Sequence, residues 1–255
     1  MKSLLLILSI FGLGLFPAKN SVDSKVYNFA ETKVNKTESG LERYFFNGST
    51  THFANMKIYA TTLQPEKNVI INEKQTDNEV LVIVKDGELK MTLNDKSKVV
   101  APGSVALIMP EDMCELENES DSLATYYIVK YKSKSPVNIA RGKMAGASEL
   151  YDWDKLEFRP HDRGGVRSYF DRKSSMSDRI EMHVTTLNPQ IKSHEPHTHE
   201  PAEIVIMMEG TTEMEIGNNL YQGTVGDIYF LGSDIPHAIR NTGDKACMYM
   251  AFQWE

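Results

Sequence analysis

The chain repeats itself, and that repetition limits its folds more than any other feature. Tyr27-Asn28-Phe29 is matched by Tyr151-Asp152-Trp153. Gly40-Leu41-Glu42-Arg43 is matched by Gly164-Gly165-Val166-Arg167, and Thr61-Thr62-Leu63-Gln64-Pro65 by Thr185-Thr186-Leu187-Asn188-Pro189. All three pairs share one offset of 124 residues. Further on, Gly103-Ser104-Val105 matches Gly226-Asp227-Ile228 with the offset one shorter, and the slip is placed between Glu79 and Gly87. Solenoid repeats run to ~20–50 residues, so a period this long is a duplicated domain. The fold must be one that 255 residues can build twice.

Each copy is written in short strands. Met56 to Leu63, Val80 to Val84, Leu89 to Leu93 and Val105 to Met109 are the clearest in the first copy. Ile180 to Leu187, Ile204 to Met208, Thr212 to Ile216, Ile228 to Leu231 and Cys247 to Phe252 serve in the second. Turn signals such as Asp86-Gly87, Asn94-Asp95, Glu209-Gly210 and Gly217-Asn218 separate them. No stretch carries a helical hydrophobic period of useful length. The pattern predicts an all-β chain of two tandem antiparallel barrels or jelly rolls. The expected division is residues 22–131 for the first barrel, 132–150 for a linker and 151–255 for the second. A short helical turn is expected near Ala145 to Leu150.

Residues 1–21 stand apart. Lys2 precedes an apolar run from Leu4 to Phe16, and Pro17-Ala18-Lys19-Asn20-Ser21 follows. One cation, a short apolar run and a polar exit are the order of a secretory signal peptide. The run is short for a membrane span, which needs ~20 residues. A periplasmic or secreted location is expected, with no membrane association beyond that segment. A net charge of -7 without a basic stripe argues against a nucleic-acid partner. The two cysteines, Cys114 and Cys247, have neither metal-ligand spacing nor a disulfide framework, and are read as buried free thiols.

The chemistry is concentrated in His197-Thr198-His199-Glu200-Pro201-Ala202-Glu203, with His237 from a later segment. Histidines at i and i+2 share one side of an extended strand. Glu203, four residues beyond His199, joins them only if the chain bends between. Three imidazoles and one carboxylate form a borderline donor set, suited to Mn, Fe, Co, Ni or Zn rather than to Mg or Ca.

These residues resemble the two motifs of the cupin superfamily: His197-x-His199-x3-Glu203-x6-Gly210, then Gly226-Asp227 and Pro236-His237-x3-Asn241. The resemblance implies jelly-roll barrels and assigns ligand roles to His197, His199, Glu203 and His237 around one divalent transition metal (Mn, Fe, Zn or Ni). In the first copy no histidine occupies a motif position, Cys114 stands where His237 would be, and Asn118 matches Asn241. Glu79 is a candidate counterpart of Glu203, left ambiguous by the slip. The whole therefore resembles a bicupin with one degenerate barrel. In architecture it is similar to (S)-ureidoglycine aminohydrolase-like bicupins, which use a Glu, two His and a Gln. In its metal motif it is closer to small sugar-processing cupins of pectin breakdown.

Such a site polarises a small ligand or acidifies bound water. The expectation is a non-redox metal-dependent enzyme (isomerase, lyase or hydrolase) on a small polar substrate such as a carboxylated sugar or ureido compound. The rivals are an Fe-dependent cupin dioxygenase and a non-catalytic metal-assisted ligand-binding cupin. Candidate substrate contacts are Arg167, Tyr169 and His183. Arg167 has a counterpart in Arg43, which favours a structural role, and packing is the plainer role for Tyr169. Glu181, His183 and Thr185 share one strand face, but period 2 does not say which face looks inward. His194 and Glu195, just before the metal loop, are candidates either to support the ligands from behind or to line the entrance. Edge pairing of barrels makes a homodimer the default assembly.

Overall fold

A computed structural model describes residues 21–72 and 76–255. The expected leader therefore lies outside the described residues except for Ser21, which bridges Ser49. The first half runs β1 (Lys25–Tyr27), β2 (Val34–Lys36), β3 (Gly40–Gly48), β4 (Phe53–Leu63), β5 (Asn68–Ile71) and β6 (Glu79–Asp86). It continues with β7 (Leu89–Leu93), β8 (Lys96–Val100), β9 (Val105–Ile108), β10 (Cys114–Glu117) and β11 (Ala124–Ser133). A short helix α1 (Ile139–Met144) leads to β12 (Glu149–Tyr151), β13 (Arg159–His161), β14 (Gly164–Arg172), β15 (Ile180–Leu187) and β16 (Ala202–Glu209). The chain ends with β17 (Thr211–Ile216), β18 (Asn219–Thr224), β19 (Ile228–Leu231), β20 (His237–Asn241) and β21 (Cys247–Trp254). Among the described residues no helix is long and apolar enough to cross a membrane.

The helix sits earlier than the sequence suggested. Asn138 caps it, its side chain accepting from the Arg141 amide, and it stops at Ala145 before Gly146, whose φ of 128° breaks the turn. Glu149 to Tyr151 are strand.

Each barrel pairs a seven-stranded sheet with a small one. The N-terminal barrel uses β12-β9-β6-β11-β4-β3-β2 and β5-β10-β7-β8; the C-terminal barrel uses β1-β19-β16-β21-β15-β14-β13 and β18-β17-β20. Three apolar clusters alternate with these sheets. One fills the N-terminal barrel and includes Val80, Met91, Ala106 and Ile128. One lies in the C-terminal barrel and includes Val205, Met207, Tyr229 and Leu231. The largest lies between the two seven-stranded sheets, where Ile58, Leu81 and Val129 meet Met182, Ile204 and Phe252. The central strands are thus covered on both faces. That is why β6 and β16 read as unbroken apolar runs rather than as alternations. An aromatic row crosses the junction: Phe53 stacks on Tyr131 at 4.7 Å and on Trp254 of the other barrel at 5.3 Å.

Sheet pairing crosses the expected division twice. β1, from the first repeat, pairs with β19 of the second barrel (Tyr27↔Ile228), and β12, which straddles the expected boundary between linker and second barrel, pairs with β9 of the first (Tyr151↔Val105). The exchange is reciprocal, which explains why the Tyr-x-Phe/Trp segment recurs in both copies. Each incoming aromatic ring sits against a glycine. A Cβ on Gly226 would come within 2.9 Å of Phe29, and one on Gly103 within 2.5 Å of Trp153; both glycines are left-handed, at φ +96° and +93°. Asp227 accepts from the Phe29 amide at 2.8 Å, and Ser104, one slip away, accepts from the Trp153 amide at 3.0 Å.

The register corrects the sequence alignment of the repeats. Val80 pairs with Lys130 and Ile108, whereas Glu203 pairs with Gln253 and Leu231. Val80, not Glu79, is therefore the counterpart of Glu203. The one-residue slip falls before β6, in the loop that carries the histidines in the second copy. A one-residue shift reverses the face. Glu79 accordingly points to the barrel junction, where it is fully buried and its Oε1 accepts from the Ser175 and Met176 amides at 2.6 and 3.1 Å.

Candidate metal centre

The loop between β15 and β16 lies over the mouth of the C-terminal barrel. His197 bridges His237 at the start of β20: each backbone amide donates to the other's carbonyl, at 3.2 and 3.1 Å. The two imidazoles, from segments forty positions apart, are thereby brought side by side, tilted by 52° with ring centres 4.7 Å apart. His199 completes the group at 5.2 Å from His197 and 4.8 Å from His237. One ligand atom from each of these three rings lies within 4.8 Å of the others. Glu203, the first inward-facing residue of β16, brings Oε2 to 3.6 Å from His199 Nε2 and 3.7 Å from His237 Nε2. Pro201 and the start of the strand supply the bend that the i, i+4 spacing requires.

The donors are oriented from behind. His199 Nδ1 donates to the Pro201 carbonyl at 2.7 Å, and His237 Nδ1 to the Ile235 carbonyl at 2.8 Å. A carbonyl can only accept, so the proton is on Nδ1 and each Nε2 lone pair is free for a metal. Glu203 accepts from Gln253 Nε2 at 3.3 Å. Burial, with a smaller contribution from neighbouring imidazoles, holds His197 and His237 below the usual histidine range. Glu203 pulls His199 above it. Two rings are therefore neutral at physiological pH, the form that binds metal. The donor set fits a borderline divalent ion: imidazoles with one carboxylate, neutral where needed, beside open space.

That space is a cavity of about 250 Å³. His183, Thr185, Ser193, His194, Tyr249 and Gln253 contribute its polar wall, and Val205, Met214, Leu231 and Ile239 its apolar floor. His194 stands edge-on to His197 at 4.2 Å. Burial raises the Tyr249 hydroxyl to about 12, so it remains a protonated donor.

The other expected contacts separate. His183 lines the cavity. Arg167 does not: its guanidinium lies over Trp153 at 4.7 Å and Phe158 at 4.6 Å, as Arg43 lies over Phe29 at 4.7 Å. It is part of the strand exchange, held by cation–π contact. Tyr169 is also outside the cavity, buried at the barrel junction with its hydroxyl donating to the Gly103 carbonyl. Asn241 and Asn118 are structural in both barrels, donating to the Leu187 and Leu63 carbonyls respectively. Tyr249 and Gln253 were missed. Their signal was parity: Tyr249, Ala251 and Gln253 alternate along β21, and a Gln on an otherwise apolar strand marks the inward face.

In the N-terminal barrel the equivalent interior is filled. Cys114 and Val80 replace His237 and Glu203, both fully buried among apolar neighbours. Both cysteines are free, and burial raises Cys114 to about 12 and Cys247 to about 11.

Comparison with known proteins agrees with this geometry. A family model described as "Cupin domain" matches residues 183–252. No curated protein matches by sequence. Protein Ylba from E. coli superposes with a TM-score of 0.73 at 14% identity, covering 93% of each chain. Lactobacillus farciminis oxalate decarboxylase, in a formate complex, superposes with a TM-score of 0.70 at 12% identity over 93% of this chain and 88% of that one. AerE from Microcystis aeruginosa gives 0.65 at 15% identity over 88% and 97%. At these identities the likeness is one of fold. Residues 183–252 match the cupin domain, a histidine group stands at the mouth of that barrel, and the two jelly-roll barrels in tandem give the chain a bicupin fold.

Proposed function

We propose that this chain is an exported, non-redox, metal-dependent enzyme with one divalent transition ion in its C-terminal barrel. The observation that carries the reading is the convergence of His197, His199, His237 and Glu203 on the rim of a polar cavity of about 250 Å³. The ion would be held by the free Nε2 atoms and the Glu203 carboxylate, and would supply Lewis acidity toward a carbonyl, carboxylate or water. Thr185, Ser193, Tyr249 and Gln253 offer hydrogen bonds to orient a small polar substrate, and the apolar floor limits its size. A carboxylated sugar or a ureido compound has that character. The fold likeness to oxalate decarboxylase supports a small carboxylate-bearing substrate. The reaction is taken to be an isomerisation, elimination or hydrolysis, the N-terminal barrel to be a structural partner, and the assembly a homodimer.

The test is elemental analysis of the protein purified without chelators, beside His197→Ala. One equivalent of Mn, Zn or Ni in the parent, lost in the variant, is expected. One equivalent of Fe with O2-dependent turnover would replace this reading by dioxygenase chemistry. No metal in either protein would overturn it.

A further inference from the structure

We infer that His183, held by Glu181, is the proton-carrying group of the cavity, set apart from the metal donors; this rests on the metal-centre reading above. Three observations converge on it.

The first is geometry. His183 Nδ1 lies 2.9 and 3.0 Å from the two oxygens of Glu181, its neighbour two residues back on the inward face of β15. A carboxylate accepts, so Nδ1 carries the proton and Nε2 is the open nitrogen of a ring that lines the cavity. The rings of His199 and His237 are backed by neutral carbonyls, which orient without adding charge. Among the described cavity histidines His183 alone has a carboxylate at Nδ1, the arrangement that stabilises an imidazolium once formed.

The second is the internal comparison that the duplication provides. Strand register places Tyr59 where His183 stands and Lys57 where Glu181 stands: Tyr59 pairs with Ile128 and His183 with Ala251, while Lys57 pairs with Lys130 and Glu181 with Gln253. In the first barrel Lys57 lies over the Tyr44 and Tyr59 rings at 4.6 and 4.8 Å, a surface packing role. Residues that serve the fold recur in both barrels, as Arg43/Arg167 and Asn118/Asn241 do. The Glu181–His183 pair occurs only in the barrel that has His237 and Glu203.

The third is its surroundings. Across the strands His183 faces Ser168 and Ala251, neither charged, and Ala251 leaves room on the cavity side. The charged groups around the pair are Glu203 on β16, Asp171 on β14 and Arg179, which donates to Asp171 at 2.8 and 2.9 Å and also attracts Glu181 at longer range. The hydrogen-bond contacts of both Glu181 oxygens go to the imidazole.

In the step this allows, Nε2 takes a proton from an acidic O–H, N–H or C–H of the bound ligand. The electron pair of the broken bond stays on the ligand. The new N–H bond makes an imidazolium opposite the Glu181 carboxylate, and the proton is later returned, so no further reactant is needed.

The experiment counts protons. The Zn2+-loaded protein is titrated calorimetrically with acetohydroxamic acid, a weak acid that binds metals as its anion, in two buffers of different ionisation heat, above the pH at which free His183 titrates. In the parent the proton moves to His183, and release to buffer is close to zero. In His183→Gln release rises to about one proton per site. Glu181→Gln keeps the ring but removes the charge behind it, and moves release toward one. The parent and both variants keep one Zn2+ per chain. Equal proton release in the parent and His183→Gln overturns the inference alone, as does loss of Zn2+ in His183→Gln, which would make the ring a ligand. Absence of Zn2+ uptake or of hydroxamate binding in the parent overturns the metal-centre reading and the inference with it.

Discussion

At the scale of single residues, the site is a balance between orientation and protonation. His199 is the ring whose proton affinity is raised, through Glu203, while His197 and His237 are lowered by burial. Protons therefore compete with metal first at His199 as pH falls. Apparent Zn2+ affinity is expected to be flat above the His199 transition and to drop about tenfold per pH unit below it, steepening as the other rings protonate. A chelator-competition series across pH checks this, and His199→Ala should abolish the first phase together with most of the affinity. Glu79 presents the opposite case. Burial raises its pKa above the ordinary 4.5 despite the hydrogen bonds it accepts. The folded state thus holds a proton that the unfolded state releases above that value, and stability falls as pH rises through the window. Glu79→Gln removes that slope. It should be at least as stable as the parent at neutral pH, with the difference vanishing below about pH 4.5. Glu79→Ala strands two buried amides and should lose about 2–4 kcal/mol. Urea midpoints at several pH values decide both.

At the scale of elements, the exchanged strands β1 and β12 depend on two glycines more than on their own short ladders. Gly103 combines φ +93° with a Cβ path blocked by Trp153 at 2.5 Å. Gly103→Ala therefore adds backbone strain to overpacking and should lower stability by about 2–4 kcal/mol. The equivalent Gly226→Ala should do the same through Phe29. Denaturation midpoints test the two together, and an unchanged midpoint in either would mean that the aromatic contact is dispensable. Legibility in the sequence is also decided at this scale. The His-x-His pair and the later Pro-His were legible because ligand chemistry needs particular residue types at particular spacings. The role of Arg167 was half legible, since its repeat partner Arg43 hinted at structure, but the aromatic rings beneath it belong to another strand. His183 was ambiguous because period-2 alternation names two faces without naming the inner one. In β15 both faces are covered, so polarity alone could not choose.

At the scale of the whole molecule, the largest apolar cluster is the junction itself, and each barrel borrows a strand from the other. Fully burying one Val, Leu, Ile, Phe or Met side chain is worth about 1.5–3 kcal/mol, so neither half can leave without exposing most of what stabilises the pair. The two barrels should unfold in a single transition, with fluorescence and circular dichroism coincident, and either half expressed alone should fail to give a cooperative fold. Metal bound at the far end of one barrel should then stabilise both. At a free Zn2+ concentration of 100 times Kd the gain is about 2.7 kcal/mol, seen as one shifted transition and absent in His199→Ala.

From the amino-acid sequence alone came the duplication, the all-β class, the motif residues and the degeneracy of the first barrel. Each is a property of residue type and spacing, and spacing survives in one dimension. The tertiary structure decided the rest. It exchanged β1 and β12 between barrels, moved the repeat slip into the histidine loop, turned Glu79 to the junction and gave Glu203's place to Val80. It also removed Arg167 and Tyr169 from the cavity and put Tyr249 and Gln253 there. All of these depend on which face of a doubly covered strand looks inward and on which strand closes which sheet. A one-residue shift in pairing reverses the first, and the second is settled only when the two barrels pack.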